Sequence, residues 1–452
     1  MRRKALALSA MALFASLVAA PAQAAPSPSP PFKYSKTTDC VTSANTRSTL
    51  KSGVSWAQTQ LDYTALWKLG DKGAGETVAV IDTGVNPVLA FSGRLLSGGD
   101  YVVADGDGRS DCDGHGTVVA GIIAAHPDQT TGFSGVAPDA KILPIRQSSN
   151  YYGVKNARAG SPQETAGNTT TLGDAIRYAV DQGAKVINIS EASCRNASKS
   201  PDQTVQSDID YAVRNDVVVV AAAGNVDEST QCKQQNTPGA DPVTFPTPAA
   251  MKGVLAVGAV DPNGDPAPFS LAGPWVDVAA PGVGIISTNP AEPTGQINEF
   301  ITSSGVTTIQ GTSFAAPYVA GLAALIQERF PNLGALGVIR RIEQTAEHPS
   351  APGERNDYVG YGMIDPAAAL TAVLPSEASA TPAPRPQPSV LPAAHSHPDI
   401  DQTTRLIALI STVGLLVLAA SASIALSTRR RRAEALVRQA RLRSGAGARR
   451  RG

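Results

Sequence analysis

The chain has 452 residues, with 38 basic and 38 acidic side chains and four cysteines. A hydrophobic fraction of 42% is enough for a sizeable core and excludes a wholly disordered chain. Charge is segregated, because residues 1–4 carry +3 and residues 429–451 carry +9, which leaves −12 between them and argues against nucleic acid as a partner.

The first 24 residues have the pattern of a secretory signal peptide. Three basic residues at positions 2–4 precede the apolar run 5–20, and a small-x-small cleavage site ends at Ala24. An uncleaved membrane anchor is the alternative, but the apolar run is short and the cleavage site follows it directly. Residues 25–60 then form an arm with a proline-rich beginning.

Residues 61–372 alternate short β-branched runs with helical stretches. This pattern predicts an α/β domain with a mainly parallel central sheet and helices on both faces. The predicted strands are 77–81, 141–145, 185–190, 217–222 and 254–260. The predicted helices are 116–125, 171–182, 205–215, 313–329 and 336–345.

Asp82 ends a fully apolar strand and is followed by Thr83 and Gly84. Open α/β sheets place site residues at the carboxyl ends of their strands, so this carboxylate is a candidate for chemistry. A turn or helix-capping aspartate is the alternative. Asp-Thr-Gly also occurs in aspartic proteases, but their chemistry needs two carboxylates that share a proton, and the motif occurs once here.

His115 lies between Gly114 and Gly116 at the start of an apolar helix. The two glycines allow close approach to the imidazole ring. The other four histidines lie in the proline-rich segment near the C-terminus or beside prolines at segment ends. A lone histidine is more often structural, but this setting favours His115 as a general base.

Ser313 opens a long apolar helix within the segment Gly-Thr-Ser-Phe-Ala-Ala-Pro. Its backbone N–H and the helix dipole point to a space where a negatively charged oxygen could be stabilised. An ordinary N-cap serine is the common alternative. The residue therefore becomes informative only together with Asp82 and His115.

The C-terminal part of the chain has the pattern of a membrane anchor. Residues 373–404 form a proline-rich linker, 405–427 a predicted transmembrane helix and 428–452 an arginine-rich tail. The uncharged run Leu406–Leu426 would be roughly 31 Å long as a helix, enough for a bilayer core of about 30 Å. The positive-inside rule places the tail in the cytoplasm, so the domain is expected outside it.

The four cysteines agree with an oxidising compartment outside the cytoplasm. Three pairings are possible, and spacing alone does not choose among them. A zinc site is the alternative, but the cysteines are dispersed and no C-x-x-C pair occurs. The four positions are Cys40, Cys112, Cys194 and Cys232.

Residues 105–111 carry alternating aspartates and have some likeness to a calcium-binding loop. However, Arg109 occupies the position of the third ligand in an EF-hand-type loop. We therefore expect no metal, and nothing else in the sequence indicates a cofactor.

Three motifs in one chain order resemble those of the subtilisin-like serine proteases, over about residues 63–370. They are Asp-Thr-Gly after an apolar strand, His-Gly-Thr-x-Val-Ala-Gly and Gly-Thr-Ser-x-Ala-x-Pro. The resemblance implies a three-layer sandwich and a triad in which Ser313 attacks the scissile carbonyl, His115 carries its proton and Asp82 holds the ring. The segment 217–225 is similar to the family's Ala-Ala-Gly-Asn run, which implies that Asn225 donates to the oxyanion.

The resemblance also implies where a protein or peptide substrate binds. Family substrates add as a strand along an exposed edge, which corresponds to residues 186–192 here. The family usually has Ser-Leu-Gly where this chain has Ser-Glu-Ala, and the added charge and methyl group predict a narrower pocket. The implied substrate contacts are Ser190, Glu191, Ala192, Ala222 and Gly224.

The signal peptide, acidic domain, linker, span and basic tail together resemble the mycosins, membrane-anchored subtilases of type VII secretion systems. This resemblance implies secretion-complex subunits as partners and disulfides Cys40–Cys112 and Cys194–Cys232. The arm is too short for a folded chaperone propeptide, so we expect it to wrap the domain. The polar insertion 147–170 is predicted to overhang the cleft or dock a partner.

Two functions from different classes follow from these features. The first is an active endoprotease that cleaves exported proteins at the outer face of the membrane. The alternative is a structural subunit that caps or stabilises a secretion complex. Competent residue types at the four catalytic positions favour the protease.

Overall fold

The computed structural model of the chain describes residues 28–50, 54–155, 165–196, 203–227, 232–303 and 305–377. The predicted signal peptide, the transmembrane segment 405–427 and the tail 428–452 lie outside these residues, as does most of the linker. Within the described ranges, no helix is both long and apolar enough to cross a membrane.

Strands occur along the whole described domain. They are β1 (Tyr34–Lys36), β2 (Thr46–Arg47), β3 (Thr77–Asp82), β4 (Gly99–Asp100), β5 (Lys141–Arg146), β6 (Ser149–Val154), β7 (Thr165–Ala166), β8 (Val186–Ile189), β9 (Ser193–Asn196), β10 (Val218–Ala222), β11 (Thr244–Thr247), β12 (Val254–Val260), β13 (Val276–Pro281), β14 (Ser287–Thr288), β15 (Gln296–Ile297), β16 (Glu299–Thr302) and β17 (Gly305–Thr308).

The α-helices alternate with the longer strands over much of the domain. They are α1 (Trp56–Leu61), α2 (Tyr63–Leu66), α3 (His115–Ala124), α4 (Thr169–Asp181), α5 (Gln203–Arg214), α6 (Thr312–Arg329), α7 (Ala335–Thr345) and α8 (Pro366–Thr371). Each of the ten predicted strands and helices is present, with ends within two residues of the prediction.

The central sheet has the strand order β13-β12-β10-β8-β3-β5-β4, and every neighbouring pair is parallel. Parallel neighbours require crossover connections, and helices supply them, such as α3 between β4 and β5 and α5 between β8 and β10. The predicted α/β class with a mainly parallel sheet is confirmed. Because the strands run in one direction, their carboxyl ends meet at one edge of the sheet.

The sheet is covered on both faces. Val78 and Val80 of β3 belong to a core shared with α3 and α6, whereas Ala79 and Ile81 belong to a second core shared with α4 and α5. Successive side chains of a strand point to opposite faces, so a strand covered on both sides must be apolar throughout. This explains why the sequence shows unbroken apolar runs instead of alternation.

The predicted exposed edge at 186–192 is wrong over residues 186–189. β8 lies in the middle of the sheet, paired with β10 on one side and β3 on the other. Its four residues are all buried, which agrees with a strand covered on both faces. Residues 190–192 follow the strand and precede β9, outside the ladder of the central sheet.

The N-terminal arm lies on the domain at two places. β1 pairs antiparallel with β6, and β2 pairs antiparallel with β16. Between them, Cys40 forms a disulfide with Cys112, and the Val41 N–H donates to the Cys112 carbonyl over 2.9 Å. The expected wrapping of the arm is therefore found in residues 28–50.

The insertion 147–170 is built largely of strands in its described parts. β6 and β7 pair antiparallel, and β1 of the arm completes a three-stranded sheet with them. Residues 156–164 lie outside the described part. The described part of this segment thus contributes two strands to a small sheet.

Candidate active site

Asp82 and His115 meet where β3 ends and α3 begins. His115 Nδ1 lies 2.7 Å from Asp82 Oδ1, and the carboxylate is fully buried. Gly116 makes this approach possible, because a β-carbon there would lie 2.1 Å from the Gly84 carbonyl oxygen. Gly84, which follows Asp82 and Thr83, and Gly116, which follows His115, therefore both have a packing role.

The Asp82 carboxylate is oriented by its neighbour. The Thr83 N–H donates to Asp82 Oδ1 over 2.7 Å. Asp82 Oδ2 is buried without a hydrogen-bond partner among the described atoms. The carboxylate therefore presents one oxygen, Oδ1, to both the Thr83 amide and the His115 ring.

A second buried carboxylate, Asp111, ties these two segments together. Its Oδ1 accepts from the Thr83 hydroxyl over 2.8 Å and from the Gly114 N–H over 2.7 Å. Its Oδ2 accepts from the Thr117 N–H over 2.8 Å and from the Thr117 hydroxyl over 2.6 Å. Burial raises the pKa of Asp111 to about 6, even though these donors favour the ionised form.

The charge on the His115 ring is governed by the carboxylates around it. Burial opposes the charged form, but the Asp82 carboxylate outweighs burial through its charge and its hydrogen bond. Glu191 and Asp111 act in the same direction, and together they raise the pKa of His115 to about 9. The site therefore favours an imidazolium, the form that a general base acquires during catalysis.

Ser313 is the second residue of α6 and is 7% exposed. The adjacent Phe314 ring contacts the His115 ring, with 5.0 Å between the centroids. Pro317 has no N–H to donate to the Ser313 carbonyl one helical turn earlier. That carbonyl instead accepts from the Ser190 hydroxyl over 2.8 Å, which links the helix start to the segment after β8.

Asn225 follows β10 and faces the start of α6. Its Oδ1 accepts from the Thr312 N–H and the Thr312 hydroxyl, each over 2.9 Å. A backbone N–H can only donate, so the atom facing it is the amide oxygen and the Asn225 Nδ2 group is turned away from Thr312. A β-carbon on Gly311 would lie 3.0 Å from Ser313 Oγ and 3.3 Å from Asn225 Nδ2, which places both groups around one point.

A cavity of about 650 Å³ opens beside His115. It is bounded by the motif containing His115, the segment after β8 and the described parts of the insertion. Its lining residues are Thr83, Asp113, His115, Gln147, Ser148, Asn150, Tyr151, Thr165, Ala166, Gly167, Asn168, Thr169, Leu172, Glu191, Ala192, Ser193, Cys194, Cys232 and Thr247. The expectation that the insertion overhangs the cleft agrees with this lining.

The predicted substrate contacts divide into two groups. Glu191 and Ala192 line the cavity. Ser190, Ala222 and Gly224 do not line it in the described part of the chain. Ser190 instead holds the start of α6, and the Gly224 N–H donates to the Thr312 hydroxyl over 3.2 Å, beside Asn225.

Two carboxylates of the cavity wall are bound by consecutive serines of the insertion. The Ser148 hydroxyl donates to Glu191 Oε1. The Ser149 hydroxyl donates to Asp113 Oδ1 over 2.5 Å, and the Asn150 N–H donates to Asp113 Oδ2 over 2.7 Å. Burial, with the nearby Asp82 charge, raises the pKa of Glu191 to about 7.

The cysteines and the acidic loop also have defined roles. Both implied disulfides form, Cys40–Cys112 and Cys194–Cys232. In the 105–111 segment, Arg109 binds Asp107 over 2.5 Å and Asp111 faces inward. Asp107 therefore forms an ion pair, and Asp111 accepts hydrogen bonds at the start of α3.

Sequence reasoning missed Asp111 and Thr312 as parts of the site. Asp111 was considered only as a member of a calcium-like loop, although its position four residues before His115 could have indicated a helix cap. Thr312 lies inside the Gly-Thr-Ser motif, but its role depends on Asn225, which is 87 positions away in the sequence. No local pattern reports such a contact.

Comparison with known sequences agrees with this geometry. The sequence profile of the Subtilase family matches residues 73–362. The chain is similar to Mycosin-4 of Mycobacterium tuberculosis (strain ATCC 25618 / H37Rv), with 43% identity over 380 residues that cover 82% of this chain and 81% of the relative. Mycosin-1 of the same strain is 44% identical over 348 residues, covering 72% of this chain and 75% of the relative.

Comparison with solved structures agrees as well. The crystal structure of MycP1 from the ESX-1 type VII secretion system matches with a TM-score of 0.70 and 38% identity, covering 78% of this chain and 96% of that chain. A chain in the structure of an intact ESX-5 inner membrane complex matches with a TM-score of 0.70 and 34% identity. That match covers 88% of this chain and 95% of the other.

Proposed function

Because this chain belongs to the subtilase family, and within it to the mycosins, we propose that its serine endopeptidase activity resides in a triad of Asp82, His115 and Ser313. The observation that carries the proposal is the 2.7 Å contact between His115 Nδ1 and Asp82 Oδ1 at the start of α3. In the neutral ring, a carboxylate held at Nδ1 fixes the tautomer in which Nε2 carries no proton and can accept one.

The catalytic cycle follows from this arrangement. Ser313 Oγ bonds to the scissile carbonyl carbon while its proton passes to His115 Nε2. The imidazolium, stabilised by Asp82, then gives that proton to the leaving amine as the carbon–nitrogen bond breaks. Water, deprotonated by the same ring, hydrolyses the acyl-enzyme and restores the Ser313 hydroxyl.

The negative oxygen of the tetrahedral intermediate needs preorganised donors. The Ser313 N–H lies in the first turn of α6, where backbone N–H groups have no partner within the helix. Asn225 supplies the second donor, because its Oδ1 accepts from Thr312 and its Nδ2 lies near the same point as Ser313 Oγ. Donors that are already oriented cost no reorganisation during the reaction.

The substrate is proposed to bind along residues 190–192, with Ala222 and Gly224 near the scissile bond. This segment leaves the central sheet beside the His115 cavity, and its backbone is outside the ladder of that sheet. The bound chain would add there as a strand, through main-chain hydrogen bonds. Exported proteins of the same secretion system are the proposed substrates.

The protease is proposed to be exported through the signal peptide 1–24 and anchored by the helix 405–427. The arm 25–60 and the linker 373–404 would flank the peptidase domain 61–372, with the tail 428–452 in the cytoplasm. Similar chains in the ESX-1 type VII secretion system and in an ESX-5 inner membrane complex support a role in a secretion system of this kind. Subunits of that membrane complex are the proposed partners.

A fluorophosphonate probe tests the triad directly, because it forms a bond only with an activated serine. The wild-type chain is expected to become labelled, and Ser313→Ala is expected to remain unlabelled. Ser303→Ala is a matched control with an exposed hydroxyl and should label normally. Equal labelling of wild type and Ser313→Ala would refute Ser313 as the nucleophile.

A structural role in the secretion complex is the second candidate function. It is favoured by the similarity to a chain of the intact ESX-5 inner membrane complex. In a strain that lacks the gene, Ser313→Ala should restore secretion if this role is separable from proteolysis. The secreted proteins should then remain uncleaved, which a comparison of the two secreted proteomes would reveal.

A further inference from the structure

We propose that the cavity beside His115 takes a positively charged side chain of the substrate, and that Glu191 is the residue that selects it. This inference rests on the proposed function, since it places the substrate in the same cleft. It assigns a chemical class, lysine or arginine, to one substrate position near the scissile bond.

The lining of the cavity carries two carboxylates and the ring of His115, whose raised pKa favours a positive charge. Asp113 and Glu191 contribute two carboxylates, and neither lysine nor arginine lines the cavity in the described ranges. Hydroxyl and amide groups of the insertion share the remaining lining with apolar surface of similar extent, to which Leu172, Ala166 and Ala192 contribute. A large apolar substrate side chain would leave these polar groups unpaired, whereas a cation would be solvated by them.

The two carboxylates are held in place before any substrate binds. Ser148 donates to Glu191 and Ser149 donates to Asp113, so the residue before β6 and the first residue of β6 orient both carboxylates. Asn150 adds a backbone donor to Asp113. An acceptor site that is already oriented binds a cation with little loss of side-chain freedom.

The surroundings of Glu191 explain why a cation is preferred over a neutral group. Burial and the nearby Asp82 charge raise the pKa of this carboxyl to about 7, although the Ser148 hydrogen bond and the His115 ring act in the opposite direction. An ammonium or guanidinium group in the cavity offsets this repulsion and favours the ionised carboxylate. A neutral side chain of the same length leaves the repulsion in place.

The test measures peptide binding and cleavage with the full chain purified in detergent. The peptides share one parent sequence. In each peptide a single position, among the four on either side of the scissile bond, carries lysine or norleucine. Binding is measured by fluorescence anisotropy on the Ser313→Ala variant, which leaves the peptides intact. At one position, lysine is expected to bind about tenfold more tightly than norleucine, the effect of one charge pair in a partly buried site.

Glu191→Gln in the same background is expected to remove that tenfold preference, while binding of the norleucine peptide is retained. Glu292→Gln is the matched control, because Glu292 is exposed and lies outside the cavity lining. Asp113→Asn is a second test variant and covers the case in which Glu191→Gln fails to fold. It should reduce the same preference.

The outcomes separate this inference from the proposed function. Equal binding of lysine and norleucine peptides at every position, or a preference unchanged in both Glu191→Gln and Asp113→Asn, overturns the cationic pocket. If the wild-type chain cleaves norleucine peptides in that case, the proposed protease activity is still supported. A lysine preference in binding without cleavage of any peptide supports the pocket and contradicts the proposed activity.

Discussion

The Thr83 hydroxyl donates to the buried Asp111 carboxylate over 2.8 Å, and this contact joins the two segments that carry Asp82 and His115. Asp111 also accepts from Gly114 and Thr117 at the start of α3. The geometry between Asp82 and His115 is thus supported by a second buried carboxylate, Asp111.

Replacing Asp111 should weaken both stability and catalysis. Asp111→Ala leaves buried donors of Thr83 and Thr117 without partners, which costs about 2–4 kcal/mol of unfolding free energy. Chemical denaturation measures this loss. Asp111→Asn retains the size and one acceptor oxygen, so it should recover part of the stability, and equal losses in the two variants would argue against the hydrogen-bond role.

The pH dependence of kcat/KM should reflect the carboxylates around His115. The ring must be neutral to accept a proton, and its pKa is raised to about 9, so kcat/KM should rise with pH through that value. Glu191 contributes to the raised pKa of His115, so Glu191→Gln should move the acidic limb of the kcat/KM profile to lower pH. Glu292→Gln should leave the limb unchanged, and a shift in this control would indicate a non-local effect.

Asn225→Ala should lower kcat by about 100–1000-fold with little change in KM, because the lost donor acts on the transition state. Asn225→Asp separates this role from a structural one. It retains an oxygen to accept from Thr312 but removes the Nδ2 donor. Turnover of a fluorogenic peptide should fall in both variants, and near-normal turnover of Asn225→Asp would contradict the assignment.

Gly311→Ala should reduce kcat/KM by roughly 100-fold, because misplacement of reacting groups by about 1 Å has effects of this size. Gly311 has φ of 150°, and a β-carbon there would crowd Ser313 Oγ and Asn225 Nδ2. Gly264→Ala is the control. It also has positive φ, at 84°, but no atom lies within 4 Å of the added carbon, so it should lose stability and retain activity.

The Cys40–Cys112 bridge should stabilise the domain by about 2–4 kcal/mol, because it closes a loop with a sequence separation of 72. The double replacement by serine should lower the melting temperature and expose the arm to added protease. The corresponding double variant of Cys194 and Cys232, with a separation of 38, should lose less. Calorimetry and limited proteolysis measure both, and an arm that stays protected without its bridge would contradict this account.

The catalytic candidates could be predicted because each one lies in a short local pattern. Asp82 ends an apolar strand, and His115 and Ser313 begin apolar helices next to glycines. The packing reason for these glycines is tertiary, since a β-carbon on Gly116 would meet the Gly84 carbonyl oxygen and one on Gly311 would approach Asn225 Nδ2. The local patterns themselves are readable without knowing which strand pairs with which.

The position of β8 was predicted incorrectly for the opposite reason. The apolar run of β8 indicates burial on both faces, but it does not indicate whether a neighbouring strand pairs with each of its edges. The pairing with β3 and β10 joins segments about a hundred and about thirty positions away. The same limitation hid the contact of Ser190 with the Ser313 carbonyl, which spans 123 positions.

The amino-acid sequence by itself determined the α/β class and the order of the helices and strands, because periodicity acts within a few residues, and its resemblance to the subtilases implied the four proposed catalytic side chains. Only the tertiary structure decided that Asp111 joins the segments of Asp82 and His115, that the arm and insertion share a sheet, and that Glu191 and Asp113 line one cavity. These relations depend on packing between segments far apart in the chain, where burial and charge are set by neighbours that no local pattern names.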